Sequence, residues 1–350
     1  MAEHFIEPLM AAERMTGYHT DLVTSGHQSV DSGEVIYFDL SISNLIGLPW
    51  ALLKILNYIY KIRPDIVIAH NSKSSLIPLF AAWLGRVPVR VYFNHGVPYV
   101  GYHGFLRVLL RLLERLNALW ATHVLTVSKE MLGLLLNAGV SREPKIIHHG
   151  SACGIDLQVF SSDVYSHSNW RNTHGLKADD LLVVYVGRPE RRKGFEIVLR
   201  LWADYIHERH IKLVICGADA DDVLRYLNSV PQNVLPFGFV QNVPEILASS
   251  DLLLLPSFHE GLPYACMEAQ ASGAVVVANN IVGLSCVVED GITGFLVPGN
   301  EISKYLEIIR RIDLDRSSIE DIRLSAKKRV SKYSRENFMP HYIAYLRGLH

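Results

Sequence analysis

Glu260 and Glu268, with seven residues between them, lie in the stretch LLLLPSFHEGLPYACMEAQASG at residues 252–273. Carboxylates accept hydrogen bonds from hydroxyl groups, so two of them flanking an anion site can hold a hexose on one side of a diphosphate and a ribose on the other. The anion site follows from the residues around them. Four leucines ending at Pro256 and Ser257 form a short apolar run bounded by turn signals, the pattern of a buried parallel strand. Gly261 allows a sharp turn, and Pro263 suits the first turn of a helix. The unsatisfied N–H groups at such a helix start, with the positive end of its dipole, attract a phosphate. At roughly 1.5 Å per residue, Glu268 falls about 9 Å beyond Leu262 along the helix. For an isolated pair the plainer reading, a capping Glu260 and a solvated Glu268, is preferred; the flanking sequence changes that.

Residues 181–187 read as a continuous apolar strand, and ligands in open α/β sheets bind at the carboxyl ends of strands. Arg188 stands at that end and Lys193 follows in the same turn. The run 190–193 could be an ordinary solvated turn. Its position argues for phosphate instead, because an arginine fork grips phosphate oxygens and a lysine adds a compact second charge.

These segments resemble the retaining glycosyltransferases of family four, whose GT-B fold pairs two facing Rossmann-like domains. The family signature is glutamate, seven residues, glutamate, in a segment much like PSFHEGLPYACMEAQASG. The likeness extends upstream to VVYVGRPERRKGF, where Arg188 and Lys193 match the basic pair that grips the donor diphosphate. It continues through ICGADA around Gly217 and LPFGFV around Gly238, and downstream to NNIVGLSCVVEDGITGFLVPG. The order of these segments over the whole C-terminal half is more specific than any one of them. The resemblance implies a donor-binding set of Gly187, Arg188, Lys193, Phe239, Glu260, Gly261, Leu262, Pro263, Tyr264 and Glu268. It implies His95, Arg188, Lys193 and Glu260 as the groups closest to the chemistry, with His95 in contact with the transferred sugar.

Stepping along the chain, apolar β-branched runs alternate with helical stretches at the spacing of βαβ units. They fall at residues 19–24, 35–40, 65–69, 87–94, 123–128 and 145–149, and again at 181–187, 212–217, 234–237, 251–256, 274–278 and 294–297. Between the two series lies the polar, serine-rich segment 151–174, read as the interdomain connection with the donor cleft between the two sheets. The expected division is an acceptor-side domain over 1–160, a donor domain over 161–332, and a helix over 333–350 that crosses back onto the first domain. A chain of 350 residues suits two domains, each able to bury its own core.

The formal net charge of -1 argues against a general nucleic-acid binder. Four cysteines without paired short spacing argue against a disulfide or zinc framework and for reduced thiols in a cytoplasmic protein. The sixteen histidines form no ligand pattern, and the adjacent His148 and His149 would point to opposite sides of a strand. No metal or other cofactor is expected. Charge on the leaving diphosphate would instead be met by Arg188, Lys193 and the amides near residues 261–264.

Two N-terminal stretches bear on the acceptor. Residues 105–120, FLRVLLRLLERLNALW, place Arg107, Arg111, Glu114 and Arg115 at helical spacing, a basic stripe on an apolar helix. Such a helix either lies on an anionic membrane surface or is a core helix with one wet face. Residues 49–62 are similarly apolar but carry Lys54 and Asn57 and fall short of the about twenty residues a span needs. The loop YFNHGVPYVGYHG at 92–104 is rich in glycine, histidine and tyrosine and holds His95. It resembles the branch of the family acting in bacterial capsule, O-antigen and related surface polysaccharide assembly, whose acceptors are commonly lipid-linked. The expected partners are thus a UDP-linked or other nucleoside diphosphate sugar, a saccharide or polyprenyl-linked saccharide acceptor, and a membrane surface at the inner face of the plasma membrane.

One departure from the family stands out. The chain opens on AEHFIEPLMAAERMTGYHTDLV, a first loop and helix without the apolar strand that precedes them in the family. That strand would be central in a doubly wound sheet. A chain extended upstream by about ten apolar residues is therefore expected to melt higher, through restored strand burial, and equal melting temperatures would count against this. Acceptor-side roles for Glu3 or His4 are correspondingly insecure. Two other readings remain open at this stage: a nucleotide-sugar epimerase or phosphorylase on the same fold, and a sugar-nucleotide-binding subunit without catalysis.

Overall fold

The computed structural model describes residues 2–24, 35–37, 47–141, 143–161 and 167–349. These fall into two compact units, one made of residues 1–154 with 335–350 and the other of residues 155–334. The chain passes between them at Gly154/Ile155 and at Ser334/Arg335.

The second unit begins with helix α6 (His167–Thr173) and strand β6 (Leu181–Val186). It continues through α7 (Phe195–Arg200), β7 (Ile211–Cys216), α8 (Ala220–Leu224), β8 (Val234–Pro236), α9 (Val243–Ala248) and β9 (Leu252–Leu255). After these come α10 (Tyr264–Ser272), β10 (Val275–Asn279), β11 (Gly294–Val297), α11 (Ile302–Leu314) and α12 (Glu320–Val330). Its strands form one parallel sheet in the order β11-β10-β9-β6-β7-β8. Runs such as LLVVYV and LLLL are buried along almost their whole length because helices cover both faces of the sheet. Val183, Tyr185, Ile215, Leu254 and Val277 pack there with Phe195, Trp202 and Tyr305. The order reverses between β6 and β9, whose pairing aligns Val183 with Leu252, so the chain leaves these neighbouring strands toward opposite sides of the sheet order at that point.

The first unit contains α1 (Ala2–Met15), β1 (Leu22–Thr24), β2 (Val35–Tyr37), α2 (Leu48–Ile62), β3 (Ile66–His70), α3 (Ser72–Leu84) and β4 (Val89–Asn94). It continues with α4 (Gly104–Trp120), β5 (His123–Thr126), α5 (Lys129–Asn137) and, from the far end of the chain, α13 (Arg335–Arg347). Tyr342 of α13 donates to the Glu13 carboxylate of α1 at 2.5 Å, tying the last helix to the first. The described strands form two parallel sheets, β1-β2 and β3-β4-β5.

Residues 145–149 do not form the expected strand. Lys145 makes a single bridge to Leu125, and the chain then turns, with His148 in the left-handed region at φ 55. His148 and His149 therefore do not alternate across a sheet; their rings lie 4.2 Å apart, and His148 stacks on His341 at 4.2 Å. The polar segment 151–174 is likewise not all connection, since α6 forms within it. The side chains of Glu3 and His4 and residues 38–40 of the second expected strand lie outside the described residues.

The helix at 105–120 forms as α4, and its inward face is marked by Leu110, Glu114 and Asn117. Glu114 is buried, and the outward side is largely apolar. A pattern apolar on most of its circumference does not say which side faces the core, and here buried hydrogen bonds decide. The Glu114 carboxylate accepts from Tyr92 Oη at 2.6 Å and Asn94 Nδ2 at 2.9 Å, and Asn117 Nδ2 donates to the Ser72 carbonyl at 2.7 Å.

Candidate active site

The site residues of the second unit collect at the carboxyl ends of β6 and β9. Lys193 Nζ meets Glu260 Oε1 at 2.7 Å, joining the turn after β6 to the loop after β9 across 67 residues of chain. The Glu260 side chain is only 9% exposed and that of Lys193 21%, so the pair is shielded enough for its charges to matter. Backbone contacts hold the two loops in place. Phe258 N–H donates to the Arg192 carbonyl at 2.9 Å. Gly194, at φ 71, packs its α-carbon against the Pro256 carbonyl, where a Cβ has no room. On the other side Gly283, at φ 93, approaches the carbonyls of Glu260 and Gly261, and a Cβ there would lie 2.5 Å from the first. Asn279 Nδ2 donates to the Ser257 carbonyl and Asn300 Nδ2 to the Pro256 carbonyl, each at 2.9 Å.

Helix α10 starts at Tyr264, one residue later than expected, because Pro263 is its N-cap at ψ 101 and not part of its first turn. Proline carries no N–H, and the Pro263 side chain makes no cap hydrogen bond. Cys266 N–H and Met267 N–H turn back onto the Pro263 carbonyl at 3.1 and 3.3 Å. Leu262 and Pro263 are buried beneath the turn, and Gly261 and Tyr264 remain partly exposed. Glu268 is the fifth residue of α10, partly buried, with no hydrogen bond or ion pair among the described residues. Burial pushes its carboxyl up to about 7. It is therefore not the solvated group of the plainer reading, nor is Glu260 a helix cap.

The Arg188 guanidinium pairs with Glu190 at 2.8 Å, and its side chain is 58% exposed, while Lys193 pairs with Glu260. The backbone below is fixed: Tyr185 Oη donates to the Arg188 carbonyl at 2.8 Å, and Gly187 N–H to the Cys216 carbonyl at 2.9 Å. The neighbouring strand ends are tied in series, with Gly217 N–H donating to the Gly238 carbonyl at 2.7 Å. Phe239 follows on that edge and exposes 87% of its surface, the geometry of a ring with no protein partner to cover it.

In the first unit, His95 follows β4 directly. Its Nε2 lies 3.0 Å from Nδ1 of His70, which ends β3, so one ring donates a hydrogen bond to the other. Burial lowers His95 to about 4 and takes His70 well below its usual value, which makes both rings neutral near pH 7. Phe5 of α1 meets the His95 ring edge-on, with centroids 5.9 Å apart. Asn94 fixes the turn, accepting from Gly96 N–H at 3.0 Å while donating to Tyr92 and Glu114. Burial raises Glu114 to about 7. His70, the clamping residues Gly194, Asn279, Gly283 and Asn300, and the inward position of Glu114 carry no clear mark in the sequence. For His70 the hint is a polar residue ending the apolar run DIVIAH. Cys153, Cys216 and Cys266 are buried, and Cys286 is partly exposed. Among the described residues no group of three or more His, Cys, Asp or Glu is arranged to hold a metal ion.

Comparison with known proteins accounts for both units. A family model described as Glycosyltransferase Family 4 matches residues 3–154, and one described as Glycosyl transferases group 1 matches residues 166–332. The chain is 27% identical over 295 residues to the capsular polysaccharide biosynthesis glycosyltransferase CapM of Staphylococcus aureus, covering 81% of this chain and 77% of that protein. It is 26% identical over 276 residues to the UDP-Gal:alpha-D-GlcNAc-diphosphoundecaprenol alpha-1,3-galactosyltransferase of Escherichia coli, covering 76% of this chain and 70% of that enzyme. Anabaena HepE, solved in complex with UDP-glucose, shares the fold at a TM-score of 0.83 and 18% identity, over 99% of this chain and 96% of its own. With two parallel-sheet α/β units of the GT-B kind, each matched by its own model, the chain belongs to the glycosyltransferases of family four.

Proposed function

We propose that the protein transfers a hexosyl unit from a UDP-linked sugar, with retention at the anomeric carbon, to a saccharide or polyprenyl-linked saccharide acceptor in cell-surface polysaccharide assembly. The observation that carries this reading is the shielded Lys193–Glu260 pair, 2.7 Å apart at the switch point of the sheet, in the loop that leads into the start of α10. In the free protein the two charges satisfy each other. A bound donor would exchange that bond for two: Lys193 to the diphosphate and Glu260 to the hexose hydroxyls.

The start of α10 would bring backbone N–H groups and the positive dipole end to the same phosphates. Glu268, without a hydrogen bond or ion pair among the described residues, would accept from the ribose hydroxyls. Swinging Arg188 from Glu190 to the diphosphate requires only a rotamer change of a half-exposed side chain. As the anomeric carbon–oxygen bond breaks, these groups stabilise charge on the departing diphosphate without a divalent ion. The acceptor oxygen forms the new bond on the face the leaving group vacates and yields its proton to the diphosphate. Neutral His95 would accept or donate a hydrogen bond to the transferred sugar. The glutamates are not read as a glycosidase acid and nucleophile, because they flank a phosphate site and do not face each other across a glycosidic bond.

The capsular and undecaprenol-linked relatives support a lipid-linked acceptor and work at a membrane surface. No described helix is long and apolar enough to cross a membrane. Radiolabelled nucleotide sugars offered with and without acceptor test the reading. Glu260→Ala or Lys193→Ala is expected to lower acceptor-dependent transfer by about 10²-fold or more. Wild-type turnover in either variant, or donor consumption that needs no acceptor, would overturn it. The anomeric proton coupling of the product reports retention or inversion.

A further inference from the structure

We propose that His70 is a positioning residue that fixes the tautomer of His95 and so leaves His95 Nδ1 a bare acceptor for a hydroxyl of the transferred sugar. The sugar contact rests on the transferase reading above; the tautomer itself is observable in the free protein. The β3–β4 register aligns His70 with Phe93, two residues before His95. Asn71 N–H donates to the Phe93 carbonyl at 3.1 Å and Ser74 Oγ to the His70 carbonyl at 2.6 Å, which pins the backbone that presents the His70 ring. The Phe93 ring centroid lies 5.4 Å from that of His70 and 5.0 Å from that of His95, and Phe5 also packs on His95 at 5.9 Å. These contacts hold the rings where one nitrogen of each enters the 3.0 Å bond. Among the described residues no hydrogen bond reaches the other two nitrogens, His95 Nδ1 and His70 Nε2, and both residues are partly exposed.

Both rings are neutral near pH 7, so each carries one N–H donor and one bare nitrogen. The partner of one ring nitrogen decides which of the two holds the proton, and a single bond between two imidazoles therefore couples their tautomers. If His95 Nε2–H donates, His70 Nδ1 accepts, His70 keeps its proton on Nε2, and His95 Nδ1 is bare. If His70 Nδ1–H donates, both protons sit on Nδ1 and His95 presents a donor. The first arrangement puts both rings in the Nε2–H form, the more stable tautomer of a histidine side chain, and the second puts both in the less stable one. Without His70, His95 could invert alone; bonded to it, His95 inverts only if both rings do. A bare Nδ1 accepts from a sugar hydroxyl and rejects an analogue in which an ether or fluorine replaces that hydroxyl, because two acceptors cannot bond.

Nitrogen NMR of the full chain labelled at histidine tests the tautomer without any ligand. The wild type at pH 7 is expected to show His95 and His70 each protonated at Nε2 and bare at Nδ1. His70→Asn offers an amide oxygen as acceptor in place of the ring nitrogen and should keep the His95 signature, whereas His70→Leu removes the acceptor and should leave His95 a mixture of both forms. Calorimetric titration gives the second readout, with UDP and with the tighter-binding of UDP-glucose and UDP-galactose as probes. His70→Leu should weaken the sugar nucleotide about tenfold and leave UDP unchanged, and His70→Asn should recover most of the loss. A wild-type His95 protonated at Nδ1, an unchanged His95 signature in His70→Leu, or equal weakening of UDP and the sugar nucleotide would overturn the proposal. Failure of the wild type to bind UDP would count against the transferase reading, whereas a His95 tautomer that is present in the wild type and lost in His70→Leu would leave the positioning role of His70 standing.

Discussion

The two units organise their site residues by different means. In the second, one continuous six-stranded sheet carries the site, and the loops are clamped by backbone contacts: Gly194 on Pro256, Gly283 on Glu260, and Asn279 and Asn300 on the carbonyls before Glu260. In the first, the described strands fall into sheets of two and three, and the His95 turn hangs on side chains that titrate, namely His70 and, through Asn94, Glu114. Glycine contacts and asparagine amides have no protonation state, whereas a histidine pair and a buried carboxylate do. The clamps on residues 256–261 should therefore hold over a wider pH range than the His95 turn.

Breaking the Lys193–Glu260 pair gives the largest effect. Lys193→Met leaves a shielded carboxylate without its partner and should cost about 1–3 kcal/mol of stability in addition to activity. Adding Glu260→Gln in the same chain should restore most of the melting temperature and none of the turnover. A double variant that recovers both would make the pair a structural strut and dissolve the contrast.

Much of the second unit is legible in its sequence, because parallel strands buried on both faces read as unbroken apolar runs, and Glu260, Lys193 and the helix start follow from where those runs end. The Lys193–Glu260 bond is not legible, since it depends on β6 and β9 being neighbours in a sheet whose order reverses there. His70 stayed hidden for the same reason: its meeting with His95 is set by the β3–β4 register, which aligns His70 with Phe93. For α4 the pattern gave the helix but not its rotation, because the deciding residues are the polar Glu114 and Asn117 on the inside.

A smaller effect concerns pH. Glu268 and Glu114 are each raised from 4.5 to about 7 by burial, so the stability they confer is fully present below 4.5 and lost as pH rises through 7. His95, lowered from 6.5 to about 4, behaves oppositely: its contribution is present above 6.5 and lost as pH falls through 4. If ribose hydroxyls bond the ionised Glu268, the donor KM should fall between pH 6 and pH 8, over which the ionised fraction climbs from roughly one tenth to nine tenths. Glu268→Gln should flatten that profile. A wild-type KM independent of pH in this window would remove Glu268 from donor binding.

The smallest effect needs no variant. Amides of β6, β9 and β10, interior to the six-stranded sheet, should exchange more slowly than those of β1 and β3, which lie in described sheets of two and three strands. Equal protection would remove this contrast in local stability.

The claim beneath all of this is that Lys193 and the start of α10 form a seat for a nucleoside diphosphate. Calorimetric titration of UDP into the wild type and into Lys193→Met, with a chelator present to exclude divalent ions, tests it most directly. Saturable binding with one UDP per chain, weakened about tenfold or more by the substitution, is the expected result. Equal affinity in the two proteins, or no binding by the wild type, would contradict it.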